Sequence, residues 1–351
     1  CYSRGCELRG EIEGTINEMV LHDIAVFQEL FQYDFSPMCD ALHVPEFSMV
    51  ENYESSYLET RGYNSRICEC ICELAGKLRW AETPQEMKDI LSAFYKEYGV
   101  GKFGLHKSFR VVEGRDGAVA IEPIPNIAHV ALSDLVGYEE PKRKLVENTL
   151  SFLSGGAANN CLLYGDAGTG KSTCVKAIAN EFFDRGLRVI EMYKHQFRYF
   201  NEIIGQLKNR NYKFIIFMDD LSFEDFETEY KYLKAVIEGG LEKKPENILI
   251  YATSNRRHLI RENYSDKEDV RQDMHTSDTV QEKLSLAYRF GVSIYFGAPD
   301  KRLFQEIVKA LAQRYGIEME EEALLLEANK WELSHGGLSG RTAQQFIQYM
   351  A

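Results

Sequence analysis

The feature that most constrains this 351-residue chain is the run GDAGTGKS, from Gly165 to Ser172. It fits G-x-x-x-x-G-K-[ST], with an apolar segment, Cys161–Tyr164, before it and a helix-forming segment, Lys171–Phe183, after it. Glycines let backbone N–H groups turn inward around phosphate oxygens, and the helix N-terminus adds a favourable dipole. The run therefore predicts a strand–loop–helix unit that binds a nucleoside triphosphate. The alternative is a glycine-rich turn without a ligand.

Two side chains of the run have distinct expected roles. Lys171 supplies a point charge to the β- and γ-phosphates, and the Ser172 hydroxyl is suited to ligate Mg²⁺. A nucleoside triphosphate and Mg²⁺ are therefore the expected ligands of this segment. The predicted binding residues of this segment are Gly165, Asp166, Ala167, Gly168, Thr169, Gly170, Lys171, Ser172 and Thr173.

An acidic pair, Asp219 and Asp220, directly follows the apolar segment Phe214–Met218. Ligands bind beyond the carboxyl ends of strands in open α/β sheets. We therefore expect Asp219 to ligate Mg²⁺ together with Ser172, and Asp220 to polarise the attacking water. Glu224 is a weaker candidate for the task of Asp220. The alternative is a pair of solvated acids in a turn.

An amide side chain, Asn255, follows the next apolar segment, Ile248–Thr253. It could hydrogen-bond both the γ-phosphate and the attacking water without competing for the metal. Alone, an asparagine after a strand is usually a turn residue. Its order after the two earlier motifs favours the functional role.

The segments around these motifs predict an α/β fold with a five-stranded parallel sheet and helices on both faces, because continuous apolar strands alternate with helical patterns. After Pro299 the chain is expected to be helical, near 300–315, 320–332 and 339–350. The predicted strands are Cys161–Tyr164, Arg188–Met192, Phe214–Met218, Ile248–Thr253 and Val292–Phe296.

The first third is expected to be helical. Thr83, Pro84 and Glu86 form a helix start, and the helix should run to Tyr98. A separate amphipathic helix is predicted by residues at three- and four-residue steps, namely Ile12, Ile16, Met19, Val20, Ile24, Phe27 and Phe31.

A β-hairpin is expected near 109–121, around the turn 113–117. Pro123 and Pro125 interrupt regular structure and place a domain boundary between residues 122 and 134. The predicted domains are 1–128, 129–298 and 299–351. Gly99 to Gly104 matches G-x-G-x-x-G, but without a strand before it and a helix after it we read it as a turn.

The composition excludes several classes of protein. No apolar run is long enough to cross a bilayer, so we expect no membrane span. The net charge of −13 disfavours sequence-independent binding of nucleic acid over a broad surface, although a local basic patch is still compatible with it. Eight cysteines, including Cys68, Cys70 and Cys72, are read as reduced thiols and not as a zinc site. A cytoplasmic location is the expectation.

The order of the motifs resembles that of AAA+ ATPases over roughly residues 130–351. After the acidic pair and Asn255 come Leu286–Gly291, which reads LAYRFG, and Ser339-Gly340-Arg341. Further runs are similar to a bacterial AAA+ family described as a domain of unknown function (815), and that likeness extends to the whole chain. These runs are Asn159-Asn160, DDLSFE at 219–224, YATSNRRHL at 251–259 and EKLSL at 282–286.

The resemblance implies further roles. Asn255 would be sensor 1, Arg289 an arginine finger that reaches a neighbouring subunit's γ-phosphate, and Arg341 sensor 2 in a C-terminal helical lid. An arginine supplied by a neighbour can raise the rate about 10³–10⁵-fold in related enzymes. The segment beside the adenine would include Val136, Gly137 and Tyr138. For each arginine, a salt-bridged surface position is the alternative.

The activity implied is Mg²⁺-dependent ATP hydrolysis by a homo-oligomer that remodels or loads a macromolecule, with the N-terminal domain reading a protein partner. Many AAA+ enzymes have glutamate where this chain has Asp220, so a nucleotide-gated switch with little hydrolysis is the second hypothesis. A P-loop kinase is the weakest of the three hypotheses.

Residues 261–278 are expected to be a surface insertion or a partner-contacting loop. Before them, three basic side chains could bind a polyanion or pair with nearby acids, namely Arg256, Arg257 and His258.

Overall fold

A computed structural model gives the structure of the protein. Its described residues form two compact units, Cys1–His106 and Lys107–Ala351. No helix among them is both long and apolar enough to cross a membrane. The described residues are 2–7, 12–34, 36–42, 65–99, 101–114, 117–125, 127–208, 210–223, 229–238, 245–255, 259 and 286–351.

The first unit is helical in its described parts, as the sequence predicts. Helix α5 begins as expected, because the Thr83 hydroxyl accepts the Glu86 N–H at 3.2 Å, and it ends where Gly99 has a φ of 70°. The helices are α1 Tyr2–Glu7, α2 Gly14–Gln32, α3 Ser36–Leu42, α4 Ser65–Arg79, α5 Pro84–Tyr98 and α6 Lys102–Leu105.

Helix α2 buries a narrower stripe than its apolar pattern predicts. Ile24 is buried with Met87 of α5, and the buried Gln28 amide donates to the Ala81 carbonyl at 2.9 Å. By contrast, Met19 and Phe27 are 63% and 58% exposed. The buried stripe follows four-residue steps toward α5, and residues three positions away turn off that face.

The second unit is built on a seven-stranded sheet in the order β2-β1-β4-β5-β6-β3-β7. All neighbours run parallel except β2, which is antiparallel to β1. The strands are β1 Ser108–Glu113, β2 Val119–Pro123, β3 Cys161–Gly165, β4 Leu187–Glu191, β5 Lys213–Met218, β6 Ile248–Ser254 and β7 Val292–Phe296.

The sheet differs from the predicted five parallel strands because the hairpin joins it. Residues 108–110 pair in parallel with 189–191 of β4, so β1 covers what would otherwise be an open edge. The sequence analysis placed this hairpin in the N-terminal domain, with a boundary between 122 and 134. The contacts instead divide the chain after His106, since the hairpin's ladder ties it to the large sheet.

Helices cover this sheet and bury its centre. Tyr251 and Cys161 are fully buried, as expected for strands enclosed on both faces. Short 3₁₀ turns occur at Leu132–Asp134, Phe183–Arg185 and Lys194–Tyr199. The helices within 139–238 are α7 Glu139–Leu153, α8 Lys171–Glu181, α9 Phe200–Leu207 and α10 Glu229–Glu238.

Three C-terminal helices, α11 Lys301–Tyr315, α12 Glu321–Ser334 and α13 Gly340–Met350, lie close to the predicted ranges. They share an apolar core of their own, which includes Phe304 and Phe346. Ser339 caps α13, because its hydroxyl accepts the Thr342 N–H at 3.0 Å.

The pairing register brings the predicted motifs to one edge of the sheet. Leu163 of β3 lies opposite Thr253 of β6, and Met218 of β5 lies opposite Ala252. The glycine-rich loop, the acidic pair and Asn255 therefore all follow strands that end side by side.

Candidate functional site

A pocket of about 830 Å³ lies at this edge of the sheet. We call its first side the strand wall, formed by 167–173, Asp219, Asp220, Thr253 and Asn255. The opposite side, the helical wall, comprises Ile307, Leu311, Arg314, Gly340, Arg341, Gln344, Gln345 and Gln348. The segment before α7 completes the pocket with His129, Val130, Asp134, Leu135, Val136 and Tyr138.

The glycine-rich loop needs glycines where its backbone approaches neighbouring elements closely. Gly165 has a φ of 135°, and a Cβ there would overlap the Phe296 carbonyl of β7. Gly168 has a φ of 74°, and a Cβ would lie 3.1 Å from Cβ of Arg341. The loop is thus packed against β7 on one side and against the start of α13 on the other.

Asp166 acts as an anchor of the loop. Its backbone N–H donates to the Phe296 carbonyl at 3.0 Å, and its carboxylate accepts the Ala298 N–H at 2.8 Å. The Thr169 hydroxyl donates to the Asp166 carbonyl at 2.9 Å. Neither Gly165 nor Asp166 lines the pocket, whereas the other predicted residues of the loop do.

Lys171 lies at the centre of the strand wall and is 6% exposed. Its ammonium donates to the carbonyls of Gly165 and Asp166 at 2.9 and 2.6 Å and to Oδ1 of Asn255 at 3.0 Å. Burial lowers the pKa of Lys171 below its ordinary value, while the carboxylates of Asp166, Asp220 and Asp219 act in the opposite direction. The structure therefore brings the predicted lysine and asparagine into contact.

The two predicted metal ligands are also in contact. The Ser172 hydroxyl donates to Oδ1 of Asp219 at 2.5 Å. Oxygen ligands suit Mg²⁺, which is usually bound by one or two carboxylates, several waters and substrate phosphates. This donor set fits such a site. Across the described ranges, no cluster of three or more His, Cys, Asp or Glu could hold a metal ion.

Asp220 adopts an unusual backbone conformation. Its φ is 50°, in the left-handed region that only a few residue types, including aspartate, tolerate. Its carboxylate accepts the Asn255 side-chain N–H at 2.8 Å. Asn255 thus bridges Lys171 and Asp220, so three predicted functional residues form one hydrogen-bonded group.

Thr253 completes this group, and the sequence analysis missed it. Its hydroxyl donates to Oδ1 of Asp219 at 2.6 Å and accepts the Asp220 N–H at 2.9 Å. A signal was present, because alternate residues of a strand share a face. Thr253 lies two positions before Asn255, which directly follows β6, so this alternation predicts both side chains on the same side of the sheet.

The segment predicted to lie beside the adenine borders the pocket through Val136 and Tyr138. The Tyr138 hydroxyl donates to the Gly297 carbonyl at 2.9 Å, and its burial raises its pKa to about 12. Gly137 does not line the pocket; its φ is 76°, and a side chain there would collide with Leu303.

Two arginines of the helical wall face the pocket. Arg341, a predicted site residue, follows Gly340, whose missing side chain leaves room for the Gly168 carbonyl. Arg314, which the sequence analysis did not identify, forms an ion pair of 2.8 Å with Asp134. Those two partners are 180 residues apart in the chain, so no local pattern could have indicated the contact.

Arg289 does not line this pocket. It precedes the amino end of β7, whereas the pocket lies at the carboxyl ends of the parallel strands. Glu224 and Arg256, Arg257 and His258 lie outside the described residues, as does the expected insertion 261–278.

Comparison with known families and structures gives one family match. Residues 105–351 match the model of the family described as "Protein of unknown function (DUF815)". None of the curated proteins matches the sequence.

Among solved structures, the chain is similar to the Thermotoga maritima RuvB Holliday junction branch migration motor, with 18% identity over 62% of this chain and 63% of that one and a TM-score of 0.42. A mutant of the same RuvB matches at 18% identity over 62% and 64%, with a TM-score of 0.44. The chain thus spans less than two thirds of these proteins.

Proposed function

We propose that this chain, which belongs to the DUF815 family, is a magnesium-dependent protein that binds and hydrolyses ATP. The observation that carries the proposal is the meeting of two hydrogen-bonded pairs, Lys171 with Asn255 and Ser172 with Asp219, which come from three strand ends. Asp220 and Thr253 connect the two pairs into one hydrogen-bonded set. A glycine-rich turn without a ligand would have no need of that convergence.

The strand wall has the groups that a triphosphate requires. The N-terminus of α8 presents backbone N–H groups, and Lys171 adds a positive charge among carbonyls that it can exchange for phosphate oxygens. Ser172 and Asp219 would hold Mg²⁺, which when bound neutralises charge that develops on the phosphates. Thr169 to Thr173 would complete the binding segment.

Asp220 and Asn255 are proposed to act on the attacking water. The Asp220 carboxylate would accept a hydrogen bond from that water and orient it, and Asn255 would contact the γ-phosphate. Arg341 of the helical wall is placed to add positive charge to the same phosphates. Val136 and Tyr138 are proposed to border the base.

Arg289 is proposed to serve a neighbouring subunit, as the AAA+ resemblance implies. Arg289 does not line the pocket of its own chain, which is compatible with action on another copy. The protein would then be a homo-oligomer whose turnover depends on assembly. We propose that this turnover drives the remodelling or loading of a macromolecule. The N-terminal helical unit would bind the protein partner.

Nucleotide binding is the first test. Lys171→Ala should abolish binding of ATP in titration calorimetry, because the buried ammonium is the main positive charge of the strand wall. Lys176→Ala, which removes an exposed lysine that also lines the pocket, should bind within a few-fold of the wild type. An unchanged affinity of Lys171→Ala would refute the assignment of the pocket.

A nucleotide-gated switch is the second candidate function. It is favoured by the short Asp220 carboxylate, one oxygen of which already accepts a hydrogen bond from Asn255. The two candidates differ in phosphate release. For a hydrolase completed by its neighbour, specific activity should rise with protein concentration, and Arg289→Ala should lose about 10³-fold or more. A flat concentration dependence, with Arg289→Ala as active as the wild type, would favour the switch.

A further inference from the structure

We propose that Thr253 is a positioning residue that holds Asp219 and Asp220 in the geometry needed for magnesium-dependent nucleotide binding. This inference rests on the proposed function and assigns it a residue that neither the motifs nor the family resemblance identifies. It concerns one buried side chain, which is 2% exposed, at the carboxyl end of β6.

Thr253 fixes three consecutive residues of the neighbouring strand end. Its hydroxyl donates to Oδ1 of Asp219 at 2.6 Å and accepts the N–H of Asp220 at 2.9 Å. Its backbone carbonyl accepts the N–H of Leu221 at 2.7 Å. One hydroxyl has one proton to donate and lone pairs to accept with, so both side-chain bonds form together.

The two hydroxyls on Asp219 Oδ1 differ in their proposed roles. Ser172 lies in the pocket and would turn its oxygen toward a cation, so its 2.5 Å bond to Asp219 is one that binding rearranges. Thr253 also borders the pocket, but it is 2% exposed and its β-branched side chain has a restricted χ1. Its bond to Asp219 therefore persists and keeps the carboxylate aimed at the site.

Asp220 needs the second bond of Thr253 for a different reason. A φ of 50° lies in the left-handed region, which aspartate adopts only occasionally. The bonds from the N–H groups of Asp220 and Leu221 to Thr253 hold the backbone in this turn. This backbone turn directs the Asp220 carboxylate toward the side chain of Asn255. Without the hydroxyl, the Asp220 N–H would lose its hydrogen-bond partner in the fold, and the turn would lose one of the two bonds that hold it.

The test measures the coupling between metal and nucleotide. The dissociation constant of a non-hydrolysable ATP analogue is determined by calorimetry in excess Mg²⁺ and in EDTA, and the ratio of the two constants is the metal coupling. Hydrogen-bond partners of metal ligands typically contribute 10–100-fold to metal affinity or activity. Thr253→Val, which replaces the hydroxyl with a methyl group, should lower the coupling about tenfold and leave the affinity in EDTA unchanged.

Two variants serve as controls. Thr253→Ser restores the hydroxyl and should restore the coupling. Thr149→Val removes another buried hydroxyl, which bonds to the Leu145 carbonyl and the Tyr251 hydroxyl, both at 2.8 Å. It should lower the melting temperature and retain the wild-type coupling, because Thr149 lies in α7 and does not line the pocket.

Wild-type coupling in Thr253→Val would overturn the inference, even if the variant were less stable. If Thr253→Val does not fold, Thr253→Cys is measured instead, since a thiol hydrogen-bonds weakly. Wild-type coupling in Thr253→Cys would likewise overturn the inference. A wild-type protein that binds no nucleotide, or binds it equally well in EDTA, would instead refute the proposed function.

Discussion

The two walls of the pocket are held in place by different means. In the strand wall, Lys171 and Thr253 are 6% and 2% exposed. The Lys171 ammonium makes one hydrogen bond to Asn255 at a neighbouring strand end, and the Thr253 hydroxyl makes two to the end of β5. In the helical wall, Arg314 and its partner Asp134 have side chains that are 45% and 31% exposed. An exposed ion pair contributes little, whereas buried hydrogen bonds are expensive to break.

The helical wall also has its own apolar core, around Phe304 and Phe346, which is distinct from the core beneath the sheet. Its contacts with the rest of the unit include Val136 packed on that core, Leu303 against Gly137, and the start of α13 against Gly168. The Arg314–Asp134 ion pair is a further contact. The difference indicates that the sheet positions the polar groups of the strand wall, whereas the helical wall rests on an apolar core of its own.

The largest predicted loss of stability comes from a substitution at the start of the glycine-rich loop. Gly165→Ala should lower the free energy of unfolding by about 3 kcal/mol or more, because its φ of 135° disfavours a side chain and the new Cβ would overlap the Phe296 carbonyl. Urea denaturation of the purified variant measures this loss.

Gly316→Ala is the matched change in the C-terminal helices. Gly316 also has a positive φ, 66°, but a Cβ there meets no described atom within 4 Å. The variant should lose about 1 kcal/mol, the conformational penalty alone. Equal losses for the two variants would contradict the view that the loop is wedged against β7.

The strand wall could be predicted from sequence because its signals are local. The run ending in Lys171-Ser172 and the acidic pair after an apolar segment each specify a strand end and a side chain. A parallel sheet then brings such ends to one edge. The strand bounds near these motifs agree with the structure to within a residue or two.

The rest depends on contacts between distant residues. Nothing local indicates that β1 pairs with β4 and so carries the hairpin into the second unit. The Arg314–Asp134 pair likewise joins α11 to the segment before α7, and many charged residues could have been chosen as partners. The amphipathic pattern of α2 predicts a helix but not which of its residues are buried, because the position of α5 determines which face of α2 is covered.

The smallest predicted effect concerns the join between the walls. Arg314→Ala should lower the free energy of unfolding by less than about 1 kcal/mol, since the ion pair is partly exposed and screened by salt. Asp134→Asn is the matched partner change, because it keeps an acceptor for the Ala131 N–H, which bonds to the Asp134 carboxylate at 2.8 Å. Urea denaturation of both single variants and the double variant gives the coupling energy.

That coupling should fall further as salt is raised, and the nucleotide affinity of Arg314→Ala should change by less than about fivefold, the equivalent of 1 kcal/mol. A coupling above about 2 kcal/mol that salt does not reduce would mean that the pair is effectively buried. The helical wall would then be fixed as firmly as the strand wall.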